Sequence, residues 1–211
     1  MKLHGYYRSA ASYRVRITLN LKGLQAEHVY HHLRRGEQRA SDYLQLNPQG
    51  LVPTLETDHG GIITQSLAII EWLDETHPEP PLLPKNPTPR ARVRAFAMVL
   101  ACDTHPIQNL GVLNRLRAAK LPEDLVTQWA ADTNVAGLTA CERLILTERG
   151  PFCFGAAPTL ADVCLVPQLY NARRFKVDVS KFRRLLEAEA ACLALPAFKD
   201  AAPEQQPDFE P

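Results

Sequence analysis

Residues 8–16 combine a hydroxyl group with three arginines at the predicted start of a helix. The segment reads Arg-Ser-Ala-Ala-Ser-Tyr-Arg-Val-Arg, follows an apolar stretch and opens an amphipathic run that ends at Gly23. The first backbone N–H groups of a helix lack partners within it, and the peptide dipoles place partial positive charge there. A thiolate or carboxylate beside Ser9 would therefore be stabilised. Capping by Ser9 or Ser12, with solvated arginines, explains the same residues without any ligand.

Two further features of the N-terminal part suit a ligand that carries carboxylates and peptide bonds. Ser66 begins an apolar-periodic helix and offers a second helix N-terminus with a hydroxyl group, for which simple capping is again the alternative. Pro53 lies just inside a predicted strand, which indicates a sheet edge or a bent turn. A cis Val52–Pro53 bond would turn the backbone of Val52 outward, where it could pair with an extended peptide. Since only about 5–6% of X–Pro bonds in folded proteins are cis, the residue types alone favour the trans form.

Hydrophobic periodicity places these residues in an N-terminal α/β unit. It predicts strands near 2–7, 27–32, 51–56 and 62–64, helices near 12–23 and 66–76, and a short helical turn near 41–46. In chain order this is a βαβ-α-ββα unit, so both helix N-termini and the proline-bent strand belong to one small domain.

The later part of the chain has a different character. Six prolines between His77 and Pro89 preclude a continuous helix and indicate a linker. Beyond them, Arg90–Ala119 and Glu123–Glu148 carry apolar residues at helical spacing, which is typical of a helical bundle. The last eleven residues hold too little apolar surface to order themselves. We therefore predict an α/β domain at 1–78, a linker at 79–89, an all-helical domain at 90–200 and a loose tail at 201–211.

Composition limits the classes of partner. The chain has 24 basic and 23 acidic residues and a net charge of +1, so no global field recruits nucleic acid or an anionic membrane. The N-terminal residues form no apolar signal core, and no apolar run approaches the roughly 18 residues of a membrane span, so we expect a cytoplasmic protein. The five cysteines form no metal-ligand pattern. We expect reduced, mostly buried thiols, with neither disulfides nor a metal.

Five motifs occur along the chain in a family-specific order. They are Arg8-Ser9-x-x-Ser12-x-Arg14-Val15-Arg16, Leu46-Asn47-Pro48-x-x-x-Val52-Pro53-Thr54-Leu55, Gln65-Ser66-Leu67-Ala68-Ile69-Ile70-Glu71, Cys102-Asp103-x-His105-Pro106-Ile107-x-Asn109-Leu110 and Leu160-Ala161-Asp162-x-Cys164-Leu165-Val166-Pro167-Gln168. With these motifs the chain resembles the zeta class of the glutathione transferases, which includes maleylacetoacetate and maleylpyruvate isomerases. The resemblance extends from Lys2 to about Phe198.

The resemblance implies a glutathione transferase architecture, in which a thioredoxin-like α/β N-terminal domain precedes an all-α helical-bundle C-terminal domain. It also implies a homodimer with a glutathione site on each subunit, and a cis Val52–Pro53 bond. The residues that it places around glutathione are Ser9, Ala10, Ala11, Ser12, Arg14, Gln38, Gln49, Val52, Pro53, Gln65, Ser66, Asp103, His105, Asn109, Leu110 and Gly111.

Four residues are candidates for the chemistry. The resemblance implies that Ser9 donates a hydrogen bond to the glutathione sulfur and that Arg174 reaches the site from the helical domain. Arg8, with its planar fork, suits a substrate carboxylate or enolate. His105 precedes a helix-disrupting proline; a contact with glutathione or substrate and a purely structural role both fit it.

Five further positions are assigned no catalytic role. Where the class commonly has Ser-Ser-Cys, this chain has Ser9 followed by Ala10 and Ala11, so one hydroxyl of the triplet remains. Thr159 and Asp162 fit a capping box, and for Asp162 we expect this structural role. For Arg173 we expect a solvated position on its helix.

Three functions are compatible with the sequence. The favoured one is a glutathione-dependent cis–trans isomerase that acts on a small dicarboxylate by reversible thiolate addition. Maleylacetoacetate, from tyrosine degradation, is the preferred substrate because it is the commoner one in the family; maleylpyruvate, from gentisate breakdown, is the alternative. A glutathione-conjugating transferase and a non-enzymatic, glutathione-binding dimeric scaffold are the other two possibilities.

Overall fold

Four short strands form one mixed sheet in the computed structural model, which describes residues 1–210. The strands are β1 (Lys2–Gly5), β2 (Glu27–Tyr30), β3 (Thr54–Glu56) and β4 (Ile62–Thr64), in the spatial order β2-β1-β3-β4. β1 is parallel to β2 and antiparallel to β3, and β3 is antiparallel to β4. The predicted strand at 51–56 begins only at Thr54, after Pro53, which has no N–H to give to a ladder.

Three helices accompany the sheet: α1 (Ala10–Leu21), α2 (Ser41–Leu46) and α3 (Ser66–Thr76). α1 packs against α3, and the fully buried side chains of Ile17, Ile69 and Leu73 belong to these two helices. The predicted βαβ-α-ββα order is therefore confirmed.

The helical part of the chain contains five longer helices. They are α4 (Pro87–Met98), α5 (Leu110–Ala118), α6 (Glu123–Ile145), α7 (Leu160–Arg174) and α8 (Arg183–Leu193). α4 begins inside the predicted linker because Asn86 caps it and Pro87 stands in its first turn, where a missing N–H is harmless. α7 is buried over most of its length, and the predicted capping box of Thr159 and Asp162 at its start is present.

A break separates α4 from α5. α4 continues as a π-helical turn over Val99–Thr104, and a 3₁₀ turn follows at Pro106–Gln108. The disruption expected at Pro106 is thus present. The π-helical turn ends just before His105, and the 3₁₀ turn ends just before Asn109.

The chain divides into two units, whose boundaries differ from the predicted domains. One unit comprises Met1–Pro81 together with the C-terminal segment from Ala194, and the other comprises Leu82–Leu193. Residues 194–200, which we assigned to the helical domain, therefore belong to the first unit, where α9 (Pro196–Lys199) packs against α1.

The prediction of a loose tail is wrong for residues 201–210. A 3₁₀ turn forms at Pro203–Gln205, and the Gln206 amide donates to the carbonyls of Asp200 and Ala202, both at 2.9 Å. Ala201 is buried at 1% exposure. Composition gave the wrong answer because contacts with residues far along the chain order this segment, among them the bond from the Tyr7 N–H to Asp208 and the packing of Phe209 on a buried cluster; Pro211 lies outside the described residues.

Among residues 1–210, no helix is both long and apolar enough to cross a bilayer.

Candidate active site

Ser9 caps α1 and keeps its own hydroxyl hydrogen available. Its backbone N–H donates to the carbonyl of Tyr6 at 3.0 Å, which closes a turn after β1. Its Oγ accepts from the N–H of Ser12 at 3.2 Å. Because the oxygen accepts in this bond, the hydroxyl hydrogen can donate to a ligand at the helix N-terminus. Capping and ligand binding, the two interpretations of Ser9, are therefore compatible.

The next three residues form the buried first turn of α1. Ala10, Ala11 and Ser12 are 5%, 9% and 0% exposed. The Ser12 side chain is thus closed to solvent. Ser9 is the hydroxyl of this turn that a ligand could reach.

The arginines around Ser9 have three different environments. Arg8 is half-buried, with its guanidinium carbon 5.9 Å from the centroid of the Tyr7 ring. Arg14 is 1% exposed and donates to Ser66 Oγ at 3.3 Å, which joins the first helical turns of α1 and α3. Arg16 is 5% exposed and binds backbone carbonyls. The alternative of solvated arginines is therefore wrong for Arg14 and Arg16.

Three predicted residues meet beside the N-terminus of α3. Gln65 has a positive φ of 71°, and its amide donates to Gln49 Oε1 at 2.7 Å. Both side chains are exposed and can turn toward a ligand. Ser66, 6% exposed, follows directly and accepts from Arg14.

The segment before β3 carries the cis Val52–Pro53 bond. The expectation from residue types alone is wrong here, and the one from the family resemblance is confirmed. Two side chains shape this segment: Tyr43, which lies outside the five motifs, and Asn47, which belongs to the second of them. Tyr43 donates its hydroxyl to the carbonyl of Leu51 at 2.6 Å, and the Asn47 amide donates to the same carbonyl at 2.7 Å. Neither contact has a local sequence signal, because each side chain binds the backbone carbonyl of a residue several positions away.

Gln38 adds a buried acceptor to the first unit. Its Nε2 donates to the carbonyl of Leu33 at 3.4 Å, whereas its Oε1 is buried and has no hydrogen-bond partner among the described residues. A buried carbonyl oxygen without a donor usually marks a bound water or ligand.

The helical unit gathers a second group of predicted residues around the start of α5. Asn109 caps this helix by accepting from the N–H of Val112 at 3.0 Å, and Leu110 and Gly111 form its first turn. His105, just upstream, is half-buried, and Asp103 is exposed. Because the chain breaks at Pro106, His105 lies only a few residues before the N-terminus of α5.

The paired arginines at the end of α7 differ. Arg173 is exposed, as expected, and its guanidinium forms a two-pronged ion pair with the buried Glu189. Arg174 is exposed, with its guanidinium carbon 5.8 Å from the centroid of the Phe175 ring.

Asp162 is not in a position to act as an acid or base on a ligand. Its carboxylate accepts from the N–H groups of Cys153 and Thr159, both at 2.8 Å, and burial raises its pKa. Tyr6, before the Ser9 turn, remains a neutral hydroxyl because burial and Tyr7 raise its pKa to about 12.

A small sheet of this topology followed by an all-helical unit is the architecture of the glutathione transferases. The sequence pattern of the glutathione S-transferase N-terminal domain matches residues 3–81. A maleylacetoacetate isomerase of Pseudomonas aeruginosa is 49% identical over 99% of this chain and 98% of its own.

Solved structures of isomerases match the full length of this chain. A holo structure of a bacterial maleyl pyruvate isomerase of the zeta class has a TM-score of 0.97 and 44% identity, and covers 100% of both chains. A maleylacetoacetate isomerase of Anaeromyxobacter dehalogenans, with dicarboxyethyl glutathione and citrate in its active site, has a TM-score of 0.89 and 43% identity, and covers 100% of this chain and 94% of its own. The chain belongs to the zeta class of the glutathione transferases, and the predicted fold class is confirmed.

Proposed function

We propose that this protein is a glutathione-dependent cis–trans isomerase that converts maleylacetoacetate to fumarylacetoacetate. The observation that carries the proposal is the Ser9 hydroxyl, whose hydrogen is available at the N-terminus of a 12-residue helix with Arg8 beside it. The relative with 49% identity is a maleylacetoacetate isomerase, which supports the choice of substrate.

The residues of the first unit fit glutathione. The peptide carries two carboxylates, an amino group, two amides and a thiol, and it needs both donors and acceptors. The N-termini of α1 and α3 supply donors, and the unpartnered oxygen of Gln38 supplies an acceptor. The exposed amides of Gln49 and Gln65 supply both. We infer that the backbone of Val52 pairs with the ligand and that His105, Asn109, Leu110 and Gly111 contact it from the helical unit.

The chain's part in the chemistry is to stabilise negative charge. When bound, glutathione supplies a thiolate that adds to the cis double bond, so that the bond becomes single, rotates and is restored in the trans form when sulfur leaves. A free thiol is only about 3% ionised at pH 7. The Ser9 hydroxyl and the α1 N-terminus together contribute roughly 1.4–2.7 kcal/mol, which raises the ratio of thiolate to thiol about 10- to 100-fold.

The arginines serve the substrate. Both ends of a maleyl keto acid carry carboxylates, and thiolate addition places negative charge on the oxygen conjugated to the double bond. Arg8 can bind either group through its planar fork. We propose that Arg174 binds the second carboxylate. Ala10 and Ala11 lack the hydroxyl and thiol that the class commonly has, so Ser9 alone supplies the hydroxyl hydrogen bond.

One alternative has specific support. The structural relative with a TM-score of 0.97 is a maleyl pyruvate isomerase, whose substrate differs from maleylacetoacetate in the length of the keto-acid arm. The residues assigned to the site do not distinguish between the two arm lengths.

The experiment is an ultraviolet-monitored isomerisation assay of both substrates, each with and without glutathione. We expect turnover only with glutathione and a higher kcat/KM for maleylacetoacetate. A higher kcat/KM for maleylpyruvate would assign the alternative. Bound glutathione without turnover of either substrate would refute the isomerase and favour a conjugating transferase or a binding scaffold.

A further inference from the structure

The last described residues of the chain bind the turn that carries Ser9. We call Asp208–Glu210 the C-terminal strap. Asp208 Oδ2 accepts from the backbone N–H of Tyr7 at 2.9 Å, and the Tyr7 hydroxyl donates to the carbonyl of Glu210 at 3.0 Å. The Phe209 ring packs edge-on against the Tyr7 ring, with 5.5 Å between centroids. These contacts span about 200 positions of the chain, and they end two residues before Ser9.

A buried arginine binds the same turn through its carbonyl groups. Arg16 Nη2 donates to the carbonyl of Tyr7 at 3.0 Å, and Nη1 donates to that of Tyr6 at 3.4 Å. Its Nε donates to the carbonyl of Ala201 at 3.0 Å. Both backbone polar groups of Tyr7 are therefore bound by charged side chains, the N–H by Asp208 and the carbonyl by Arg16.

The strap also reaches two segments that hold other proposed glutathione residues. The Glu210 carboxylate binds Arg35 at 2.8 Å and His32 at 3.1 Å, in the loop that leads to Gln38. Phe209 packs on the apolar cluster that includes Tyr43 and Val52. Three consecutive residues thus contact the Ser9 turn, the Gln38 loop and the segment before β3.

We propose that Asp208 is a positioning residue for Ser9. The inference rests on the proposed function, since it gives Asp208 a part in holding the hydroxyl that stabilises the thiolate. A donor stabilises developing charge only while it is held at hydrogen-bond distance, and Ser9 Oγ is placed by the turn that Tyr6 and Tyr7 form. Without Asp208, the N–H of Tyr7 loses its acceptor. The bond from Arg16 to the Tyr7 carbonyl is then the remaining side-chain bond to the backbone of Tyr7.

The test compares Asp208→Ala and Asp208→Asn with Asp178→Ala as a matched control. Asp178 is exposed and also accepts a backbone N–H, from Ser180 at 2.9 Å, within the helical unit. In Asp208→Ala we expect kcat to fall about tenfold and the ratio of thiolate to thiol in the glutathione complex to fall by about the same factor, with the Kd of glutathione changed less than about threefold. Asp208→Asn keeps an acceptor oxygen and should recover most of both losses, and Asp178→Ala should change neither.

A double-mutant cycle identifies Ser9 as the residue through which Asp208 acts. In the Ser9→Ala background, Asp208→Ala should cause no further loss of kcat. Fully additive losses, or unchanged kcat and thiolate ratio in Asp208→Ala, would overturn the inference. If Asp208→Ala does not fold, Tyr7→Phe, which removes the hydroxyl bond to Glu210, takes its place with the same expected direction.

The wild-type protein alone shows whether the proposed function fails, independently of the Asp208 variants. If the wild-type protein binds glutathione and isomerises neither substrate, the isomerase is refuted, and the thiolate ratio alone then decides for or against Asp208. If the wild-type protein does not bind glutathione, both proposals are overturned.

Discussion

At Ser9, one oxygen atom serves both the fold and the proposed chemistry. It accepts from the N–H of Ser12 and so caps α1, while the hydroxyl hydrogen is available to a ligand. The neighbouring alanines are buried and contribute backbone only. Beside the backbone N–H groups at the start of α1, the side chains of this turn that can stabilise negative charge are therefore Ser9 and Arg8.

Arg8 is assigned to the substrate rather than to glutathione. Arg8→Gln removes the charge that binds a substrate carboxylate, and a hydrogen bond to a charged group is worth roughly 1.5–3 kcal/mol, so KM for the substrate should rise at least about tenfold. The Kd of glutathione should stay unchanged, because Arg8 is assigned to the substrate. Steady-state kinetics and calorimetry measure the two quantities. Arg143→Gln, an exposed arginine on α6, is the control; an equal effect there would contradict the assignment.

Capping side chains set the starts of three helices. Ser9, Asn86 and Asn109 cap α1, α4 and α5, and Pro106 follows the π-helical turn that ends α4. That turn lies against α6, where Gly137 faces Thr104. The Thr104 hydroxyl donates to the carbonyl of Val99 at 2.7 Å, across the π-helical turn.

We predict that Gly137→Ala destabilises the protein, although alanine is the better helix former by about 1 kcal/mol. A Cβ at Gly137 would overlap Thr104 Oγ1 and lie 3.0 Å from the Cβ of Thr104, so Thr104 or α6 must move. We expect a net loss of about 2 kcal/mol in the free energy of unfolding by urea. Ala136→Gly, at an exposed position of the same helix, should cost about 1 kcal/mol from propensity alone. A stabilised Gly137→Ala would show that the close approach does not constrain α6.

Sequence patterns predicted the elements of the α/β unit well, because strands and helices there follow local periodicity. They also located Ser9 and the Val52–Pro53 segment, since caps and prolines are local signals. The suggested capping role of Ser66 is wrong, because Gln65 is the N-cap residue of α3 and Ser66 Oγ accepts from Arg14 instead. Burial of Arg14 and Arg16 and the ordering of residues 201–210 were missed. Each depends on partners far along the chain, such as Ser66 for Arg14 and Tyr7 for Asp208, and no local pattern contains that information.

Residues 1–210 form two units, one of which contains both the N-terminal segment and the described residues from Ala194 onward. The relatives match it over nearly their full lengths, so the family assignment covers both units. The homodimer and the cytoplasmic location stay predictions.

Stability of the whole molecule should depend on pH in the mildly acidic range. Burial lowers the pKa of His31 and His28, and a hydrogen bond from His4 lowers that of Glu56. As the pH falls, these groups therefore bind protons at a higher pH in the unfolded chain than in the folded protein. The stabilisation is complete above the ordinary histidine value of 6.5 and is lost below it, and Glu56 adds a further loss below 4.5.

Urea unfolding at a series of pH values measures this dependence. The free energy of unfolding should decrease between pH 6.5 and pH 5, and His31→Gln should make this decrease smaller. For each protein, the free energy of unfolding measured above pH 6.5 is the reference. An unchanged slope in His31→Gln would exclude His31 as a source of the pH dependence.

The role of Ser9 in stabilising the thiolate is measured by a pH titration of the thiolate absorbance of glutathione bound to the wild-type protein and to Ser9→Ala. In the wild-type complex we expect a thiol pKa of about 6.5–7.5, and in Ser9→Ala a value closer to 8.5 with a fall of about tenfold or more in isomerisation kcat. Asn86→Ala removes another helix cap, at a similar cost of about 1 kcal/mol, and should leave the titration unchanged. Identical thiol titrations in the wild-type protein and Ser9→Ala would contradict the role of Ser9.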